Sequence, residues 1–66
     1  MDSVEYGILK AKFLKLYANI PYPLRTEIVA LVGDETFSWA AAHAEVKHDG
    51  RNAKNILKQL IKLGLI

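Results

Sequence analysis

A small, mainly α-helical domain of the helix-turn-helix kind is the fold class this 66-residue sequence predicts. Three observations carry that expectation. Apolar residues recur at three- and four-residue spacing near both ends of the chain. Pro21, Pro23, Gly33, Gly50 and Gly64 cut the chain into short pieces. The last piece is a basic amphipathic segment that follows a short turn. One stretch, residues 27–39, stays open between a second helix and a β-hairpin.

The first helix is expected over about residues 3–19, with Ser3 or Asp2 as its cap. Leu9, Phe13, Leu16, Tyr17 and Ile20 share one face. Ile20-Pro21-Tyr22-Pro23 ends it, because proline disfavours helical geometry in the residue before it. Pro23 then suits the first position of a second helix over about 23–32, with the stripe Leu24, Ile28, Leu31 and Val32 and a stop at Gly33. A hairpin competes. Ile28 to Val32 is rich in branched residues, Gly33-Asp34 is a turn signal, and Thr36-Phe37-Ser38-Trp39 favours strand. The helix is the preferred reading, because it gives Pro23 and Leu24 a role.

Ser38 can cap a third helix from Trp39 to about Lys47, with Trp39, Ala42 and Val46 inside. His48-Asp49-Gly50 is a tight turn, in which glycine is free to take a left-handed conformation. Asn52 or Asp49 caps the last helix, about residues 52–63. It is expected to bury Ala53, Ile56, Leu57, Leu60, Ile61 and Leu63, and to stop at Gly64.

Charge is uneven. From Lys47 onward five basic residues (Lys47, Arg51, Lys54, Lys58, Lys62) face one acid, Asp49, a local net of +4 in a chain of net +2. Lys54, Lys58 and Lys62 lie on one face, opposite the apolar one. Arg51, Asn52 and Asn55 sit at the leading turn, where a recognition helix reaches base edges while lysines meet phosphates. The same lysine spacing also marks any solvated helix.

Other chemistry is thinly represented. The chain has no cysteine, so disulfides and thiolate metal sites are excluded. His43 and His48 are about 140° apart around a helix and share no face. There is no glycine-rich phosphate loop and no nucleophile with a matching base and acid, so neither an enzyme nor a cofactor is expected. The longest internal apolar run, Ile28 to Val32, is far below the roughly 20 residues of a membrane span. The acidic start, Met1-Asp2-Ser3-Val4-Glu5, is unlike a signal peptide. The default expectation is a soluble cytoplasmic protein with no membrane partner. An apolar content of 52% is generous for this length and points to a second copy of the chain.

From Pro23 onward the order of elements resembles the core of winged helix-turn-helix regulators of the arsenic-repressor type. The matching features are Pro23-Leu24-Arg25, the stripe Ile28, Leu31, Val32, and the acidic loop Asp34-Glu35. Then come the strand-like Thr36-Phe37-Ser38, the short helix Trp39 to Val46, and the final Asn52 to Ile66 with its closing Gly-Leu-Ile. The resemblance implies binding of double-stranded DNA through Arg51, Asn52, Lys54, Asn55 and Lys58. It also implies a homodimeric transcriptional regulator whose first helix packs on its partner, here through Leu9, Phe13, Leu16, Tyr17 and Ile20. Three features depart from the family. The β-wing would begin beyond Ile66, His48 replaces an apolar turn residue, and the middle helix is alanine-rich rather than leucine-rich. The rival expectation is a non-enzymatic protein-interaction module that uses the apolar face of helix 1.

Overall fold

Every one of the 66 residues is described by the computed structural model, which is mainly α with one small hairpin. The order is α1 (Ser3–Ala18), a 3-10 helix (Tyr22–Thr26), β1 (Ile28–Val32), β2 (Glu35–Ser38), α2 (Trp39–Lys47) and α3 (Ala53–Lys62). Asp2 caps α1, its Oδ1 accepting from the Glu5 N–H at 2.7 Å. Glu5 in the first turn and Lys15 in the last complement the helix dipole.

The preferred second helix does not form. Only Tyr22–Thr26 is helical, as a 3-10 turn with Pro23 near its start, and Ile28–Val32 pairs antiparallel with Glu35–Ser38. Two local forces favour the hairpin. Ile28, Val29 and Val32 are β-branched and restricted in a helix. Gly33 takes φ +61 while Asp34 does not take a positive φ, the pattern of a type II′ turn that matches strand twist. Val29 is an extra residue between the Ile28–Ser38 and Ala30–Phe37 pairs, so the strand bulges there. Ala30 and Phe37, directly opposite each other, are both buried.

The free edge of β1 is covered from within the chain. The Gln59 side-chain amide accepts from the Leu31 N–H at 2.9 Å and donates back to the Leu31 carbonyl. A single side chain thus substitutes for a neighbouring strand, and an open strand edge is a site for unwanted pairing.

Ser38 caps α2, its Oγ accepting from the Ala41 N–H at 3.1 Å. The turn to α3 differs from expectation in two ways. Asp49, not Gly50, adopts the left-handed conformation, at φ 53. Gly50 is needed for space instead, because a Cβ there would overlap the Glu45 carboxyl. Asn52 stands at the start of α3 but its side chain makes no capping bond; Glu45 Oε1 accepts the Asn52 N–H at 3.0 Å.

The core is wholly apolar. It joins Leu9 and Phe13 of α1, Ala30 and Phe37 of the hairpin, Ala42 and Val46 of α2, and Ala53, Ile56, Leu57 and Leu60 of α3. Ala42 and Ala53 are fully buried, which fits the close approach alanine permits. Ile61 and Leu63, expected inside, are exposed; Leu63 falls past the end of α3 and is 62% accessible. Gly64 takes φ +75 just beyond, where α3 stops.

Candidate nucleic-acid interface

Burial of Ala53, Ile56, Leu57 and Leu60 fixes the rotation of α3 and turns its opposite side to solvent. Arg51, Lys54, Asn55, Lys58 and Lys62 are exposed, and Asn52 is half-buried. Arg51 and the three lysines have no ion-pair partner, and α3 contains no acid. Between α3 and the hairpin tip lies an open groove of about 330 Å³, bordered by Leu31, Gly33, Asn55, Lys58 and Lys62. A second hollow, about 290 Å³, lies against α1 and is lined by Tyr6, Asp49, Arg51 and Lys54.

Two carboxylates stand near the leading turn, and both are engaged. Glu45 is held on the Asn52 N–H, where it complements the positive end of α3. Asp49 accepts from Lys10 Nζ at 2.8 Å and from the Tyr6 hydroxyl at 2.6 Å. These two bonds, Lys10 first, hold the Asp49 carboxyl below its usual range. Desolvation and then the Asp49 bond push Tyr6 up to about 12, so the phenol stays protonated as a donor. Lys54 lies 5.9 Å from the Tyr6 ring centroid, at the outer limit of a cation–π contact. The clamp fastens α1 to the turn between α2 and α3. Sequence reading missed it, because Tyr6 and Lys10 lie far from Asp49 in the chain and nothing local links them.

His43 belongs to a different cluster. Its ring stacks on Tyr17 at 4.0 Å, and the Arg25 guanidinium lies 4.5 Å from the Tyr17 ring centroid. Phe13 stacks on Trp39 at 6.3 Å. These aromatic rings join α1 to α2. No group of three His, Asp or Glu side chains converges on a point where a metal ion would sit.

The stripe assigned to a second copy divides. Leu9 and Phe13 are buried in the chain's own core, and Leu16, Tyr17 and Ile20 are half-buried. Leu9 and Phe13 therefore have no surface to offer a partner. The exposed large apolar residues of α1 are Val4 and Ile8, on its other side.

No helix is long and apolar enough to cross a membrane. No family model matches the chain, and neither a curated protein nor a solved structure matches it.

Proposed function

We propose that the chain binds duplex DNA by laying the exposed side of α3 in the major groove. One observation carries this reading: Lys54, Asn55, Lys58 and Lys62 form an acid-free, unpaired basic face, led by Arg51, on the second helix of a helix–turn–helix pair. A helix about 10–12 Å across fits a groove about 12 Å wide. Lys54, Lys58 and Lys62 would neutralise phosphates, while Arg51 and Asn55 at the leading turn would meet guanine and adenine edges. Glu45 and Asp49 do not oppose this, because each carboxylate is already bonded inside the chain. In this reading the protein is a small non-enzymatic regulator of transcription.

Fluorescence anisotropy with a labelled duplex tests it. Three phosphate contacts give log K against log salt a slope of about −2.7. Lys58→Glu should reduce affinity at low salt for every duplex tried. An unchanged anisotropy at low salt, or binding indifferent to Lys58→Glu, would remove the DNA reading. A second reading, a protein-interaction module, is favoured by Val4 and Ile8, which are 72% and 53% accessible on the outer side of α1.

A further inference from the structure

Helix α1 is apolar on two sides, and the core uses only one of them. Leu9 and Phe13 point inward. At helical spacing Val4, Gly7, Ile8, Ala11 and Lys15 form the opposite seam. Nothing lies within 4 Å of where a Cβ on Gly7 would stand, so the backbone there is open to close approach.

The charges beside this seam say what covers it. Glu5 and Lys12 lie on the same flank, Glu5 toward the N-terminal end and Lys12 toward the C-terminal end. Neither they nor Lys15 has an ion-pair partner within the subunit. A parallel two-fold pair of α1 helices would set this flank against the opposite one, which carries Ser3, Lys10 and Leu14, so Glu5 and Lys12 would not face each other. An antiparallel two-fold pair brings each flank against the same flank of the other copy, reversed, so acid meets base twice. With Ile8 set against Ala11 of the second copy, Lys12 of that copy lies two residues, roughly 3 Å, along the axis from Glu5. Val4 is then covered by the methylene stem of Lys15. Dipole complementation accounts for Glu5 and Lys15, but not for the exposed apolar residues between them.

We propose that α1 is a self-recognition surface: two copies pair antiparallel through Val4, Gly7, Ile8 and Ala11, with Glu5 of each beside Lys12 of the other. The strip, Val4 to Lys15, is one helix wide and about 17 Å long. It is therefore smaller than the roughly 800 Å² per partner of a stable complex, and the pair is weak and concentration-dependent. The pairing does not depend on DNA.

Sedimentation equilibrium of the full chain, without DNA and at low salt, tests it. The native chain should pass from monomer toward dimer as concentration rises to millimolar. Ile8→Glu should remain monomeric, with circular dichroism showing unchanged helix content. Glu5→Lys alone and Lys12→Glu alone should each weaken association about tenfold, because both copies carry the repulsion. An equimolar mixture of these two variants should regain native association as a heterodimer, since both flanks are then complementary. Monomer at every concentration, a dimer indifferent to Ile8→Glu, or a mixture no tighter than its components would each overturn the proposal.

Discussion

Gly50 is held by its neighbour rather than by its backbone angle. A methyl group there would push the Glu45 carboxyl away and break its bond to the Asn52 N–H. Gly50→Ala should cost about 1 kcal/mol, the lost bond outweighing the gain from a stiffer unfolded chain. In a Glu45→Ala background the same change should cost nothing or stabilise slightly, and urea denaturation of the four chains measures the difference. His43 gives a pH signature. Burial pushes it below its ordinary 6.5, and Lys47, Arg25 and His48 push the same way. The folded form therefore holds it neutral, and the unfolded chain takes the proton first. Stability is full above about 6.5 and declines as pH falls below it, until the folded form protonates as well. The urea midpoint measured from pH 8 to 5 should show this decline, and His43→Asn should flatten it.

At the scale of elements, the hairpin and α3 are tied by one polar side chain. Gln59→Leu would leave the Leu31 N–H and carbonyl without a protein partner at a water-facing edge. The expected cost is about 1 kcal/mol, with faster hydrogen exchange at the Leu31 amide as the measurement that singles out this site. The helices were legible because their signals are local. Ser38 marked the start of α2, Gly64 the end of α3, and four-residue spacing named the inner side of α3. The hairpin was legible only as an alternative. Five residues hold too little periodicity to separate strand from helix, and Pro23 pointed toward a helix start that ended after one turn. Nothing near Gln59 in sequence indicates the strand edge it covers.

For the whole molecule, the apolar excess marked surface left over without locating it. The sequence pattern pointed to Leu9 and Phe13 for a partner and passed over Val4 and Ile8, because a helix apolar on two sides does not say which side its own chain will cover. Tertiary packing decided that, and with it which residues remain for a second copy. The exposed positions of Arg51, Lys54, Asn55 and Lys58 were readable, since burying the four apolar residues of α3 forces them outward. Their freedom from carboxylates was not readable. It depends on the Tyr6 and Lys10 bonds to Asp49, which span most of the chain.

The stacked pair Phe13 and Trp39 has an optical consequence. Trp39 is the only tryptophan, half-buried where α1 meets α2 and remote in sequence from the lysine face. Its emission is a built-in reporter of whether α1 stays docked. A red shift on unfolding tracks loss of that contact, and constant emission while a labelled duplex binds would mark a ligand that leaves the α1–α2 seam intact.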